Sequence, residues 1–143
     1  MEEMVYRDTR LKTPILLGSG NIDDYQYIIL SHGTHPCAYV SIPKSHKYYK
    51  KKYKKLPHSN DISVHGGITF AEKMLLVGKT ENNDTIWLKG HWIGWDYAHC
   101  GDYIGHNFFF DMYSIFNEES KKWKTVEILE DVKSVIKQLK AVK

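Results

Sequence analysis

Short runs of apolar residues, several of them alternating with polar ones, occupy most of the chain before residue 96, a pattern typical of β-strands. We predict strands at residues 14–17, 25–31, 37–42, 62–70 and 74–77, and one or two strands over residues 85–95. Gly-Ser-Gly-Asn followed by two aspartates predicts a turn after the first strand, and Glu-Asn-Asn-Asp at 81–84 predicts a hairpin turn.

The pattern changes to a helical period near the C-terminus. Thr125 is the predicted N-cap, Glu127 lies in the first turn, and lysines crowd the last turn. From Thr125 onward, apolar residues recur at helical spacing and predict a helix over about 125–141; they are Val126, Leu129, Val132, Val135, Ile136, Leu139 and Val142. We therefore predict an α+β fold, a mainly antiparallel sheet packed by one long C-terminal helix, with residues 1–143 as a single domain.

Composition narrows the class of protein further. The hydrophobic fraction of 42% and the charged fraction of 26% are ordinary for a soluble globular domain. Two cysteines, Cys37 and Cys100, are too few for a disulfide framework. The N-terminus lacks a signal-peptide pattern, and no apolar run is long enough to span a bilayer. We expect a cytoplasmic protein without a membrane partner; homo-oligomers are compatible with the sequence.

One segment is strongly basic. Residues 44–58 hold seven lysines and three tyrosines without an acidic residue. Such a segment can bind phosphates, and the stretch Lys44–Lys55 is the candidate contact to a nucleic acid. It is equally typical of a solvated loop or short helix that keeps a protein soluble, and we favour that second interpretation.

Two other segments carry the candidate chemistry. In Val-His-Gly-Gly, two glycines follow His65, which predicts a bend or bulge where backbone amides can meet an anionic oxygen. The alternative is a plain bulge with His65 hydrogen-bonded in the core.

The second segment is Gly-Trp-Asp-Tyr-Ala-His-Cys-Gly-Asp. Its Asp96, His99 and Asp102 are spaced so that the side chains of Asp96 and His99 can face the same space. An Asp–His pair suits a general base, a ligand clamp or a metal site. The alternative is two turn-capping aspartates around a half-buried histidine.

The remaining reactive residues give weaker signals. Cys100 adjoins His99, but sequence neighbours do not make a catalytic Cys–His pair. Histidines 32, 35 and 58 lie in predicted loops and could join a site only through the fold. The chain has no Gly-rich phosphate loop ending in Gly-Lys-Ser/Thr, no Gly-x-Ser-x-Gly elbow and no His-Glu-x-x-His. These absences leave the familiar enzyme classes unsupported.

The chain resembles a family of small phage and prophage proteins without an established activity. The resemblance rests on AYVSIPKSHKYY, VHGGITF, WIGWDYAHCGD and KTVEILEDVKSVIKQL and covers about residues 37–141. The central family pattern is V-H-G-G-[IL]-T-[FY] followed by W-[IL]-G-[FW]-D-x-x-H-x-G-D. It is matched at His65, Gly66, Gly67, Thr69, Gly94, Asp96, His99, Gly101 and Asp102.

The resemblance implies a phage gene product in a bacterial host cytoplasm. The chain departs from the pattern at Trp95 and Tyr97, where the family is expected to have Phe and a small residue. It also departs at the lysine run 50–55, which is more acidic in other members, so a phosphate-binding role for these lysines is not implied by the resemblance.

Three functions follow from these residues. The first is binding of a small phosphorylated, nucleotide-type ligand, with a bacterial defence signal as one target for sequestration. Its predicted contacts are His65, Gly66, Gly67, Thr69, Trp92, Trp95, Asp96, His99 and Asp102, with Trp92, Trp95 or Tyr97 stacking on a base. The second is hydrolysis of a phosphoester or nucleotide, with Asp96 and His99 as catalytic candidates and a divalent metal on His65, Asp96, His99 and Asp102. The third is inhibition of a host enzyme through exposed aromatics and lysines.

Overall fold

A computed structural model describes residues 1–105 and 119–143. These described residues form five strands, one short 3-10 helix at Lys52–Lys55 and one α-helix. The strands are β1 (Ile15–Ile22), β2 (Tyr25–Ser31), β3 (Pro36–Ser41), β4 (Phe70–Lys79) and β5 (Thr85–Asp96), and the helix α1 spans Thr125–Lys140. The predicted α+β class, with an antiparallel sheet and a C-terminal helix, is confirmed.

The strand order β1-β2-β3-β5-β4 determines where the two chemical segments lie. Every neighbouring pair is antiparallel, and β5 inserts between β3 and the edge strand β4. Asp96 at the end of β5 therefore pairs with Cys37 at the start of β3. The amide of Thr69, just before β4, donates to the carbonyl oxygen of Gly94 at 2.9 Å. The sheet thus brings the residues before β4 to the end of β5.

Helix α1 covers one face of the sheet. Its apolar stripe, Ile128, Val132, Val135, Ile136 and Leu139, is buried with side chains from β1, β2, β3 and β5. This is the predicted amphipathic arrangement, because residues three and four apart share one helix face. The predicted N-cap is one residue off: Lys124 holds that position, and its amide donates to Glu127 Oε1 at 2.9 Å. The Thr125 hydroxyl instead donates to the carbonyl oxygen of Glu2 at 2.5 Å.

The opposite face of the sheet holds a smaller apolar cluster. Its buried members are Ile28, Leu30, Cys37, Tyr39, Leu75 and Trp92. The N-terminal segment crosses the edge of this face, where the amides of Arg7 and Leu11 donate to the carbonyl oxygens of Gly33 and His32. This segment carries Arg10 to the margin of the second face.

Two local predictions are wrong, one of a turn and one of a strand. The predicted turn at Gly18–Asn21 lies within β1, and the chain reverses at Asp23 and Asp24 instead. A side-chain carbon at Gly20 would lie 2.9 Å from the Tyr27 ring, so this glycine accommodates an aromatic neighbour within the strand. The predicted strand at 62–70 is irregular until Phe70, because two residues with positive φ follow His65. The hairpin turn at 81–84 is confirmed, with the Thr80 amide donating to the Asp84 carbonyl oxygen at 2.8 Å.

Candidate functional site

A tight turn presents the Val-His-Gly-Gly segment. The amide of Gly67 donates to the carbonyl oxygen of Val64 at 2.8 Å, and Gly66 and Gly67 have φ values of +70° and +79°. A side-chain carbon at Gly66 would lie 2.1 Å from His99 Nε2, so only glycine allows the His99 ring to approach this closely. The Gly67 amide is occupied by the turn and is therefore not the free anion donor that was predicted.

Asp102 is a buried hub of hydrogen bonds. Its Oδ2 atom lies 2.7 Å from His65 Nε2 and accepts from the His99 amide at 3.0 Å. Its Oδ1 atom accepts from Trp123 Nε1 at 2.8 Å. The carboxylate side chain is 3% exposed. Both oxygens of Asp102 are engaged and solvent is excluded, so Asp102 orients its neighbours. The sequence prediction that Asp102 contacts a ligand required a free oxygen, and the side chain does not present one.

The His65 ring is fixed by aromatic neighbours as well as by Asp102. It stacks on Tyr97, with ring centroids 5.1 Å apart and planes 8° apart, and it lies 4.8 Å from the Trp123 ring. Tyr97 is in turn held by helix α1, because its hydroxyl donates to Asp131 Oδ2 at 2.7 Å. Burial, the largest cause, raises the pKa of Tyr97 far above its ordinary value. His65 therefore has one orientation and one engaged nitrogen.

Asp96 and His99 form the predicted pair. His99 Nε2 lies 3.1 Å from Asp96 Oδ1, but this buried nitrogen makes no aligned hydrogen bond. The amide of Ala98 donates to Asp96 Oδ1 at 3.1 Å, and the Thr69 hydroxyl lies 3.5 Å from Asp96 Oδ2. The His65 and His99 ring centroids are 5.7 Å apart. His99 thus lies between His65 and Asp96 and brings the two segments together, although the cavity that Asp96 lines includes neither His65 nor His99.

The predicted aromatic platforms lie in the core. Trp92 is fully buried in the second-face cluster, whereas Trp95 and Tyr97 are buried on the helix side of the sheet. Strand alternation explains this division, since Trp92 and Trp95 point to opposite faces. Their rings have no open face for a base, so the stacking prediction for these three residues is not supported by where they lie.

A cleft adjoins Asp96 on the second face. Its polar end is a cavity of about 160 Å³ lined by Arg10, His32, His35, Cys37, Tyr39, Thr69, Phe70, Trp95 and Asp96. The T-shaped pair of Tyr39 and Phe70, with ring centroids 5.1 Å apart, lines it near Gly94. A side-chain carbon at Gly94 would lie 2.4 Å from the Tyr39 ring, so this glycine permits the ring's position.

A second, more apolar cavity adjoins the first, and we call the two together the cleft. This cavity of about 310 Å³ shares Arg10, His32, Tyr39 and Phe70 with the polar end. Its other lining residues are Leu11, Lys12, Pro14, Met74, Leu75, Leu76 and Trp87. Trp87, on β5, is 51% exposed and supplies an accessible ring. The cleft therefore has a polar end at Asp96 and an aromatic, apolar end at Trp87.

The charge of the cleft at neutral pH comes from Arg10 and Lys12, which are positive, and from Asp96, which is negative. Burial, the largest cause, lowers the pKa of His32 to about 4, and it also lowers the pKa of His35. The His32 Nε2 atom lies 3.1 Å from the Tyr39 hydroxyl, and His35 Nδ1 lies 3.0 Å from the Thr34 hydroxyl. Both histidines are therefore neutral near pH 7.

Acidification should destabilise the protein through His32. Its pKa is about 4 when folded against 6.5 for the ordinary group, so within this window the unfolded chain binds a proton that the folded protein does not. Stability therefore falls as the pH falls from 6.5 towards 4, by up to about 3 kcal/mol for a shift of this size. Urea denaturation at both ends of the window measures the loss, which should be smaller in His32→Gln. Equal losses in both proteins would exclude His32 as a cause.

The metal candidates do not form a metal site. Among residues 1–105 and 119–143, no three His, Cys, Asp or Glu side chains are grouped so that they could hold a metal ion. His65 and Asp102 bind each other, and His99 Nε2 is enclosed between Gly66 and Asp96. The set His65, Asp96, His99 and Asp102 therefore does not fit the divalent metal that was predicted as an alternative.

Comparisons with known protein families, curated proteins and solved structures give no match. In the described part of the chain, no helix has both the length and the apolar character needed to cross a membrane. The functional argument therefore rests on the cleft and on the side chains around it.

Three residues of this region were not predicted from the sequence. Arg10 and Trp87 had no motif around them, and Trp123 lies just before the helix without a distinctive pattern. The His-Gly-Thr-His segment at 32–35 did contain a signal, because His32 and His35 flank a turn and were expected to join a site only through the fold.

The two cysteines are both free thiols. Cys100 is exposed and Cys37 is buried.

Proposed function

We propose that this protein binds a small phosphorylated, nucleotide-type ligand in the cleft between Arg10 and Asp96, without consuming it. The observation that carries the proposal is the division of the cleft into a polar end and an aromatic end that share Arg10, His32, Tyr39 and Phe70. A nucleotide has the same division, with a charged phosphate, a hydroxyl-bearing sugar and a planar base.

Each part of the ligand has a matching group in the cleft. The Arg10 guanidinium suits a phosphate, because its planar fork binds two oxygens at once. The neutral rings of His32 and His35 supply further hydrogen-bonding groups without adding charge. Asp96 accepts from sugar hydroxyls, and Thr69 donates or accepts beside it. The exposed Trp87 ring and the adjoining apolar wall suit a base, since stacking tolerates any planar ring.

The size of the cleft also suits a small molecule. The apolar cavity of about 310 Å³ lies at the lower end of the range of about 300–1,000 Å³ found for small-ligand sites. The polar cavity of about 160 Å³ adds room for a phosphate group. A phage protein of this kind would act by sequestration, holding a nucleotide signal of bacterial defence away from its receptor in the host cytoplasm.

A recovery experiment tests the proposal. The purified protein is incubated with a panel of nucleotides and cyclic nucleotides, separated from free ligand, and denatured by heat; the released nucleotide is then analysed by chromatography. We expect one class of nucleotide to be retained and recovered intact. Arg10→Gln should weaken its binding about tenfold to hundredfold, the cost of losing a charge-assisted hydrogen bond. Arg7→Gln, on the same segment but outside the cleft lining, is the matched control and should bind normally.

A hydrolase is the second candidate, and the Asp96–His99 contact of 3.1 Å favours it. In that case His99 would act as a base on water while Asp96 orients the ring, and the recovered nucleotide would be product. Asp96→Asn separates the two functions: a binder loses affinity modestly, whereas a hydrolase loses turnover and retains part of its substrate binding. Conversion of the nucleotide by the unaltered protein contradicts sequestration. If the panel shows neither retention nor conversion, the proposal fails and a host enzyme becomes the partner to test.

A further inference from the structure

The segment Lys44–Lys55 forms an ordered basic surface, which we call the lysine platform. Tyr53 is fully buried and Leu56 is 1% exposed, so the short 3-10 helix is anchored in the main core. Tyr49 lies against His91 of β5, with ring centroids 3.9 Å apart. The amide of Tyr53 donates to the Tyr48 carbonyl oxygen, and that of Leu56 donates to Tyr53. The prediction of a solvated loop or short helix agrees with this segment, whose lysines are exposed on a support that packs into the core.

The charges of the lysine platform are almost uncompensated. All seven lysines are exposed. Lys52 pairs with Asp61 at 3.1 Å, and Lys47 donates to the carbonyl oxygen of Lys143. Within the described residues, the other lysines of the platform form no ion pair with a carboxylate. Holding like charges together on a rigid support costs stability through repulsion, and a polyanion bound there would relieve it.

Charge is also segregated along the chain. Taking these seven lysines from the twenty basic residues leaves thirteen basic against seventeen acidic residues elsewhere. The net charge of +3 therefore conceals a strongly positive platform on a protein that is otherwise slightly acidic. Such asymmetry steers a negatively charged partner to one surface and repels it from the rest.

We propose that the lysine platform binds the sugar-phosphate backbone of a nucleic acid without reading its sequence. Tyr53 and the adjoining Leu56 are buried in the core, and Tyr48 and Tyr49 pack half-buried against it, so the segment has no fully exposed apolar side chain to insert into a bilayer or to anchor a protein partner. Its exposed chemistry is a series of ammonium groups, which bind phosphates as point charges. This surface is separate from the cleft, whose lining includes no lysine of the platform.

Salt-dependent binding to a short DNA duplex and to a single-stranded RNA tests the proposal. We expect affinity to fall steeply between about 50 and 200 mM salt, as release of counterions from phosphates requires. A triple variant, Lys50→Ala with Lys51→Ala and Lys54→Ala, should bind at least about tenfold more weakly at low salt. Its log–log salt slope should also be smaller by about 2–3. The corresponding triple lysine-to-arginine variant keeps the charge and should retain binding.

A matched control separates this surface from general charge. Lys79→Ala with Lys122→Ala and Lys133→Ala removes three exposed lysines outside the platform and should leave the slope nearly unchanged. Equal loss in the two alanine triples would overturn the proposal, as would tighter binding to anionic lipid vesicles than to either nucleic acid. Nucleotide retention in the cleft should be the same in all these variants, so failure here is distinguishable from failure of the proposed function.

Discussion

Asp102→Ala should lower the free energy of unfolding by about 3–5 kcal/mol, because it removes one acceptor group from three buried or half-buried donors. The Trp123 indole and the His99 amide would lose their partner, and His65 would lose the carboxylate that fixes Nε2. Urea denaturation, monitored through tryptophan fluorescence, measures the change in the free energy of unfolding. The free energy of unfolding of Asp102→Asn should lie between those of Asp102→Ala and the unaltered protein. The amide keeps one acceptor oxygen, but its NH₂ group faces another donor.

The exposed pair of Asp61 and Lys52 supplies the control for Asp102. Asp61→Ala also removes an aspartate in an ion pair, but this pair is solvent-exposed and should contribute no more than about 1 kcal/mol. If Asp102→Ala proves as stable as Asp61→Ala, the carboxylate does not organise the region around His65. In that case the role that we assign to Asp102 in holding His65, His99 and Trp123 would be wrong.

Ile136→Ala should cost about 2–5 kcal/mol of stability and leave ligand affinity unchanged. Ile136 is 2% exposed in the main core, where helix α1 covers the sheet. The cleft opens on the opposite face, and Trp95 is the one residue of its described lining that belongs to the helix-side core, so a cavity beneath the helix should leave the rest of the lining unaltered. Thermal unfolding measures the first effect, and nucleotide retention measures the second.

Val126 provides the matched position on the same helix. Its side chain is 54% exposed, so Val126→Ala should change stability by no more than about 0.5 kcal/mol. Equal stability of Ile136→Ala and the unaltered protein would mean that the helix contributes little to the core. A fall in ligand affinity in Ile136→Ala would place the helix in the binding function.

The fold class was predictable because its signals are local. The helical period after residue 124 and the short apolar runs before residue 96 each reflect which face of an element is buried. The prediction failed where a tertiary contact overrides the local signal. Gly18 and Gly20 read as a turn but lie in β1, where Gly20 accommodates the Tyr27 ring. Residues 62–69 read as a strand but include a turn that allows His99 to approach Gly66.

The site was predictable in part for the same reason. Asp96 and His99 are three residues apart, and a turn after a strand suffices to bring them together. Trp92 and Trp95 were predicted to contact the ligand because aromatic residues beside polar ones occur both at ligand-stacking surfaces and in buried cores. The sequence pattern does not distinguish the two. Arg10 could not be found, since its place beside His32 depends on how the N-terminal segment crosses the sheet. Neighbours in space that are distant in sequence leave no periodic signal.

The residues around the cleft and around Asp102 come from segments as far apart as Arg10 and Trp123, on the N-terminal segment, three strands and their loops. A ligand that needs this assembly binds the native chain and not the unfolded one. By linkage, occupancy then raises the stability of the whole chain, by about 2.7 kcal/mol at a free concentration one hundred times the Kd. The melting temperature therefore serves as a readout of occupancy that requires no label and no assumption about the ligand. Fractionated extracts of bacterial cells can be screened with it directly, and a fraction that stabilises the unaltered protein but not Arg10→Gln would contain a ligand of the cleft.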